Sequence, residues 1–95
     1  MSEKNKATIA VRNGVDADKH HGAVVPPIYL STTYSFADFD TKREYDYGRS
    51  GNPNRDILAE TLAKLEGGAR GIITATGMAA VHLATQLLNS DDTLV

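Results

Sequence analysis

The apolar residues of this chain repeat regularly only in its second half. Four apolar side chains within residues 53–66 recur at helical spacing and form one face: Ile57, Leu58, Leu62 and Leu65. Asn52 and Pro53 supply an N-cap and a first-turn proline. Gly67 then supplies a residue that tolerates positive φ after the last turn. The pattern therefore predicts a helix over residues 53–66.

The pattern that follows is strand, helix, strand. Residues 70–75 (RGIITA) are typical of a short buried strand, and Thr76-Gly77 forms a turn. Residues 78–88 predict a second helix, and residues 93–95 predict the start of another strand. This order describes a βαβ unit with a parallel sheet and a right-handed crossover. One and a half strands cannot cover both faces of such a sheet, so we expect the chain to be a fragment of a larger α/β protein.

Residues 1–51 show little periodicity. Residues 7–11 (ATIAV) are compatible with either a short strand or one helical turn. Residues 28–36 follow two prolines and are rich in β-branched and aromatic side chains, so we expect them to be extended. They could form an edge strand of a compact domain or an arm that packs on something outside this chain. The sequence shows no hairpin turn and no partner strand nearby, which favours an arm over residues 1–51 and a domain that begins at residue 52.

Composition excludes several classes of function. The 95 residues carry a net charge of -2 with no basic block, so nucleic acid is not an expected partner. No apolar run approaches the roughly 20 residues that span a bilayer, and the N-terminus has no apolar signal segment. Without cysteine there is no disulfide framework and no thiolate metal site. These features predict a soluble, cytoplasmic protein without a structural metal.

Two short motifs could bind an anion. Thr76, Gly77 and Met78 stand where a helix begins, and the free N–H groups of a first helical turn suit a phosphate. Helix capping is the simpler role for that motif on its own. Tyr47 and Arg49 lie two positions apart, so on an extended backbone both side chains point to the same side and can clamp a phosphate or carboxylate. The alternative for this pair is a surface loop with an exposed arginine.

The histidines do not predict a metal site. His20 and His21 are adjacent and lack a third ligand at metal spacing, which favours an exposed polar loop. His82 lies inside the predicted second helix, where a packing or capping role is more typical than a catalytic one.

Four motifs occur together in one order. They are VVPPIYLSTTY (24–34), YGRSGNP (47–53), LAKLEGG (62–68) and TATGMAA (74–80). In this combination the chain resembles the N-terminal part of the Cys/Met-metabolism enzymes that use pyridoxal 5'-phosphate (PLP). Its opening, KATIAVRNG (6–14), resembles the bacterial γ-synthase branch in particular. Asn54 departs from the family's N-P-T pattern, and we expect it to cap or hydrogen-bond locally.

The resemblance implies roles for five residues. The backbone N–H groups of Gly77 and Met78 would hold the PLP phosphate. Tyr47 and Arg49 match the family's Y-x-R, which reaches the phosphate in the neighbouring subunit's active site. Asp46 would lie near the substrate.

The resemblance also implies a fold and an assembly. The chain would be the start of the large PLP-binding domain of the aspartate-aminotransferase-like α/β fold, at residues 52–95, preceded by an intersubunit arm at residues 1–51. The protein would be a homo-oligomer, a dimer of dimers, with active sites shared between subunits.

The implied reaction is a γ-replacement in methionine biosynthesis. An O-acylhomoserine such as O-succinylhomoserine would react with cysteine to give cystathionine. The alternatives are a sister activity (cystathionine γ-lyase, methionine γ-lyase or homoserine sulfhydrylase) and a non-catalytic phosphate-binding module. No lysine of the chain has the context of the family's Schiff-base lysine, which we expect beyond Val95, so the 95 residues alone should be inactive. The lysines considered are Lys4, Lys6, Lys19, Lys42 and Lys64.

Overall fold

Three segments that begin with a capping residue fold as helices. The computed structural model describes residues 4–95, in which α1 spans Lys6–Arg12, α2 spans Pro53–Glu66 and α3 spans Gly77–Thr85. The first three residues of the predicted arm lie outside the described residues. None of these three helices is long and apolar enough to cross a bilayer.

Helix α2 begins and ends where the sequence predicts. The Asn52 side chain accepts a 2.8 Å hydrogen bond from the backbone N–H of Asn54, and Pro53 occupies the first turn. Gly67 ends the helix with φ at 69° and donates its N–H to the last carbonyls. Because both caps are local features of the sequence, the helix bounds were predictable from it.

The burial of α2 differs from the prediction. The buried residues are Ala59 and Ala63, which are 8% and 9% exposed, whereas Leu58 of the predicted apolar face is 50% exposed. Gly71 lies directly against the backbone of Ala59, so close that a β-carbon at Gly71 would collide with the Ala59 carbonyl oxygen. Small residues therefore bring the chain onto one side of α2, while Leu58 and Leu62 on the predicted apolar face remain about half exposed within residues 4–95.

Residues 7–11 are helical, which decides between the two conformations that the sequence allows. The Asn5 side chain caps α1 by accepting from the N–H of Ala7 at 2.8 Å. Past the end of α1, Asn13 joins it to α2: its side chain donates to Thr61 at 2.7 Å and accepts from Lys64 at 2.8 Å. The first part of the predicted arm is thus a short helix fixed to α2.

The predicted βαβ unit is absent from the part of the chain that the structure describes. Residues 70–75 and 93–95 form no strand, and the helix between them ends at Thr85 rather than Leu88. A strand exists only when another strand accepts and donates its backbone hydrogen bonds. Neither segment has such a partner within residues 4–95, so the two predicted strands were wrong for these residues. Helix α3 packs on neither α1 nor α2.

Residues 28–36 form no regular strand, but they do have a partner. Two backbone hydrogen bonds join residues 32–34 to residues 46–48 and form the antiparallel bridge between Thr33 and Tyr47: the Gly48 N–H donates to the Thr32 carbonyl at 2.7 Å, and the Tyr34 N–H donates to the Asp46 carbonyl at 3.1 Å. A second bridge, between Asp38 and Thr41, closes the tip. We call residues 32–48 the arm loop. The expectation that no partner segment exists nearby was wrong, because a long loop rather than a tight hairpin turn connects the two sides.

The described residues are spread out around α2. Their radius of gyration is 17.0 Å, against about 12 Å for a compact domain of this length. Large apolar side chains of the arm, among them Ile28 and Leu30, are mostly exposed. Within residues 4–95, most of the apolar surface therefore has no cover.

Candidate phosphate-binding site

The N-terminus of α3 is capped by Thr76. Its backbone is extended, with φ at -144° and ψ at 161°, and its hydroxyl accepts a 3.0 Å hydrogen bond from the N–H of Ala79. The capping role that the sequence offered for Thr76 is therefore present. The N–H groups of Gly77 and Met78 precede the first intrahelical hydrogen bond, so the helix provides no acceptor for them. Capping and anion binding are compatible here because they use different N–H groups.

The space around these two N–H groups is open. A β-carbon at Gly77 would meet no other atom within 4 Å, and Met78 is 75% exposed. The first turn of α3 contains no acidic residue, so no side chain of that turn neutralises the positive end of the helix dipole. A phosphate dianion fits this arrangement, since it would meet unpaired donors and a favourable dipole without a steric obstacle.

Tyr47, near the end of the arm loop, and Arg49, just after it, lie side by side. The Nη2 atom of Arg49 donates to the Tyr47 hydroxyl at 3.1 Å, and its Cζ atom lies 5.3 Å from the centre of the Tyr47 ring. Within residues 4–95 no carboxylate forms a salt bridge with Arg49. The side chains therefore meet, although the backbone between them is a turn and not the extended segment that the spacing argument assumed. Because the Tyr47 oxygen acts as acceptor, its own O–H stays available to an incoming anion, as do further N–H groups of the guanidinium.

A turn places this pair just before α2. The N–H groups of Ser50 and Gly51 both bond to the Tyr47 carbonyl, at 3.0 and 3.1 Å. From α2, Arg55 reaches back to the Arg49 carbonyl at 3.4 Å. The backbone of the pair is thus held by the start of the helix, while both side chains remain exposed, with Tyr47 at 39%.

Asp46 lies next to the pair in an exposed ion pair. Its Oδ2 atom is 3.9 Å from the Nζ atom of Lys42, and both side chains remain partly in solvent. An exposed pair at this distance contributes little to stability. The carboxylate is available for other contacts, and its role toward a substrate stays a prediction.

The two anion-binding elements are not joined to each other. Among the hydrogen bonds of residues 4–95, none connects Tyr47 or Arg49 with Gly77 or Met78. Each element therefore offers its donors separately.

Asn54 and Tyr45 make contacts that the sequence did not predict. The Asn54 carboxamide bonds to the backbone of Tyr29, 25 residues away, rather than locally. The Tyr45 hydroxyl donates to Asp56 at 2.8 Å, and partial burial together with this carboxylate raises the pKa of Tyr45 well above its ordinary value. The sequence singled out Asn54 only by its departure from the family pattern, and it gave no indication of either contact.

Asp18 organises the loop that carries the two adjacent histidines. It accepts from the backbone N–H groups of Ala23, His20 and His21 at 3.0 to 3.2 Å, and these hydrogen bonds, that of Ala23 first, lower the pKa of Asp18. The two imidazole rings meet edge to face, with 4.3 Å between their centres. Residues 4–95 contain no group of three side chains placed to hold a metal ion.

A helix N-terminus with free N–H groups and a tyrosine–arginine pair are both features that suit a phosphate ligand. Residues 7–95 match the sequence pattern of the family described as Cys/Met metabolism PLP-dependent enzyme. The chain belongs to this family, and pyridoxal phosphate is the cofactor that the family uses. The open, positively polarised start of α3 fits the phosphate of that cofactor.

Particular relatives are cystathionine enzymes. The chain is 52% identical over 93 residues to cystathionine gamma-synthase of Escherichia coli, covering 97% of this chain and 24% of the relative. It is 39% identical over 88 residues to cystathionine beta-lyase of Lactococcus lactis subsp. cremoris, covering 93% of this chain and 23% of the relative.

A solved structure agrees with these relatives. Cystathionine gamma synthase of Xanthomonas oryzae pv. oryzae, in complex with cystathionine, superposes with a TM-score of 0.83 at 56% identity, covering 90% of this chain and 22% of that one. The fold of this chain is therefore that of the corresponding part of PLP-dependent cystathionine enzymes. The chain spans about a quarter of the length of the proteins that it matches.

Proposed function

We propose that this chain supplies the phosphate-anchoring elements of a PLP-dependent enzyme that joins O-succinylhomoserine and cysteine into cystathionine, in the cytoplasmic synthesis of methionine. The observation that carries the proposal is the pairing of an open, uncompensated α3 N-terminus with 52% identity to a cystathionine gamma-synthase. The PLP ring, when bound, supplies the electron sink that such a replacement requires. The residues of this chain contribute binding and orientation.

Each candidate residue has its own task in this proposal. Gly77 and Met78 donate their backbone N–H groups to the phosphate, and the missing side chain of Gly77 lets it approach. Tyr47 and Arg49 add an O–H and a planar set of N–H donors, which are charge-assisted hydrogen bonds to a dianion. Asp46, next to them, contacts the substrate. The Schiff-base lysine belongs to another part of the full-length enzyme.

The proposal includes an arm that crosses between subunits. Residues 1–51 would be that arm, and residues 52–95 would begin the large domain of the aspartate-aminotransferase-like fold. Two observations support this division: the Tyr47–Arg49 pair is not joined to the start of α3, and apolar arm residues such as Ile28 and Leu30 have no cover within the described residues. The assembly would be a dimer of dimers in which each active site is shared.

A lyase is the second candidate. The similarity to a cystathionine beta-lyase, at 39% identity, favours it over unrelated PLP chemistry. A lyase needs the same phosphate anchor, because cleavage and replacement reactions both begin with the cofactor held in place.

One set of assays separates these activities. The full-length enzyme that carries this segment is incubated with PLP and three substrate sets: O-succinylhomoserine with cysteine, O-succinylhomoserine with sulfide, and cystathionine alone. Mass spectrometry of the products should show cystathionine from the first set at the highest kcat/KM. Homocysteine from the second set would instead indicate a sulfhydrylase, and faster consumption of cystathionine in the third set would indicate a lyase. Absence of PLP binding would contradict the proposal as a whole.

A further inference from the structure

Asn54 connects the start of α2 to the arm by a reciprocal pair of hydrogen bonds. The Tyr29 N–H donates to Asn54 Oδ1 at 2.9 Å, and Asn54 Nδ2 donates to the Tyr29 carbonyl at 2.7 Å. A carboxamide carries a donor and an acceptor side by side, as a peptide unit does. Asn54 therefore occupies the place of a neighbouring strand and satisfies both backbone groups of Tyr29.

The helix holds Asn54 firmly. Its own N–H bonds to the capping side chain of Asn52 at 2.8 Å, and Pro53 fixes the backbone between them. The position of Tyr29 is consequently set by the first turn of α2 and not by the arm itself.

The anchor at Tyr29 lies close to the pairing that positions Tyr47. Residues 32–34 begin three positions after Tyr29 and pair with residues 46–48 through the Thr33–Tyr47 bridge, which includes the Gly48 N–H bond to the Thr32 carbonyl at 2.7 Å. Isolated bridges of this kind specify register weakly compared with a long ladder. A fixed point a few residues upstream restricts the register and hence the direction in which Tyr47 and Arg49 point.

We propose that Asn54 is a positioning residue for the Tyr47–Arg49 pair, acting through Tyr29 and the paired segments of the arm loop. The inference rests on the proposed function, in which that pair binds the cofactor phosphate. Among the described residues, Asn54 forms no hydrogen bond with Tyr47 or Arg49. Its loss should weaken phosphate binding specifically, because the guanidinium and phenol would no longer be held in one orientation.

The test compares two ligands in the full-length enzyme that carries this segment. The apoenzyme is titrated with PLP and with pyridoxal, which lacks the phosphate, and binding is followed by absorbance. For Asn54→Leu, which keeps the side-chain size but removes both hydrogen bonds, we expect PLP affinity to fall about three- to tenfold while pyridoxal affinity stays unchanged. Asn54→Asp keeps the acceptor and loses the donor, and it should give the same selective loss, which provides a second variant if the leucine form does not fold.

Asn13→Leu is the matched control. Asn13 also makes two side-chain hydrogen bonds, to Thr61 and Lys64, but these join α1 to α2 and do not involve the arm loop. A purely structural effect of losing two side-chain hydrogen bonds should appear equally in this control. We expect Asn13→Leu to leave the ratio of PLP affinity to pyridoxal affinity at the wild-type value.

A double-mutant cycle with Arg49→Ala completes the test. If Asn54 acts through Arg49 and its neighbour, Asn54→Leu should weaken PLP binding much less in the Arg49→Ala background than in the wild type. Full additivity, or equal losses for PLP and pyridoxal, would overturn the positioning role. If the wild type binds PLP no more tightly than pyridoxal, or if Arg49→Ala has no effect, the proposed function fails first, and the positioning role fails with it.

Discussion

The phenol of Tyr45 donates a 2.8 Å hydrogen bond to the carboxylate of Asp56, and this bond joins the arm loop to the first turn of α2. The ring of Tyr45 also lies 5.8 Å from that of Tyr34, whose hydroxyl accepts a 3.4 Å hydrogen bond from the Asn52 side chain. Tyr34 and Tyr45 of the arm loop thus both contact the start of the same helix. The loop that carries the candidate phosphate ligands is held from α2 on both of its sides.

Removing the Tyr45 hydroxyl should destabilise this attachment. We expect Tyr45→Phe to lower the free energy of unfolding of the full-length enzyme by about 0.5–1.5 kcal/mol, since the bond is charge-assisted but partly exposed. The pKa of Tyr45 is raised in the folded protein, so the contribution is present below the ordinary value of 10.0 and is lost as the pH rises above it. Urea unfolding of both proteins between pH 7 and about pH 11 checks this. A difference that does not shrink at the alkaline end would contradict the assigned ionisation states.

A carboxylate at Gly77 should displace the phosphate without harming the helix. Aspartate is well tolerated in the first turn because it interacts favourably with the helix dipole, and a β-carbon has space at this position. In the full-length enzyme we therefore expect Gly77→Asp to lose PLP affinity by a factor of ten or more, on the order of 1.4 kcal/mol, while thermal stability of the apoenzyme is retained.

Gly77→Ala is the control for this substitution. It adds the same β-carbon without the charge, so we expect a smaller loss of PLP affinity than for Gly77→Asp. Equal affinities for all three proteins, measured by absorbance titration, would leave α3 with an N-cap and no role in phosphate binding.

The sequence predicted those parts of the structure that depend on contacts between residues close together in the chain. Asn52, Pro53 and Gly67 define the ends of α2 through contacts with the same few residues, so the helix was predicted to its bounds. The Tyr47–Arg49 contact was also expected, although on an extended backbone, whereas the two side chains meet in a turn. These are short-range relationships.

Long-range relationships were not predictable. The bonds of Asn54 to Tyr29 join residues 25 positions apart, and no local pattern encodes them. The side chains of residues 70–75 favour a β-strand, but a strand forms only when another strand pairs with it, and residues 4–95 do not provide that partner. Which side of α2 is buried depends on the close approach of Gly71 to Ala59, which hydrophobic periodicity alone does not reveal.

Asp18 should make the stability of the protein depend on acid pH. Its pKa lies below the ordinary value of 3.8 because backbone N–H groups, first that of Ala23, stabilise the carboxylate. A lowered folded-state pKa means that the contribution is fully present above 3.8 and is lost as the pH falls through the folded-state value. We expect the full-length enzyme to be more stable than its Asp18→Asn variant at neutral pH, with the difference shrinking below about pH 4.

Urea midpoints of the two proteins, measured across that acid range, check this prediction. His21→Gln is a useful control, because it keeps the backbone N–H that donates to Asp18 and removes only the imidazole. If His21→Gln loses stability at neutral pH to the same extent as Asp18→Asn, the effect comes from the histidine charge and not from the backbone hydrogen bonds.

Arg49 should act in the active site of a partner subunit. A charge-assisted contact to phosphate contributes on the order of 1.5–3 kcal/mol, so Arg49→Ala should weaken PLP binding by roughly ten- to a hundredfold. Mixed oligomers of the full-length enzyme show whether Arg49 serves its own active site or that of the partner. One parent carries Arg49→Ala, and the other lacks the Schiff-base lysine. If Arg49 serves the neighbour, mixing places both lesions in one site and leaves the other site intact, so activity partly returns.

The control for this experiment is a mixture in which both lesions are in the same parent and the other parent is wild type. If Arg49 acts across the interface, this arrangement puts one lesion into each of the two sites of a mixed dimer, so mixed dimers should lose most of their activity. If Arg49 acts within its own subunit, both lesions fall into a single site, so mixed dimers should keep half of their activity. Mass spectrometry of the intact assemblies establishes that mixed dimers have formed in both experiments. No recovery in the first mixture together with half activity in the second would show that Arg49 binds the phosphate of its own subunit, and the intersubunit arm would then be wrong.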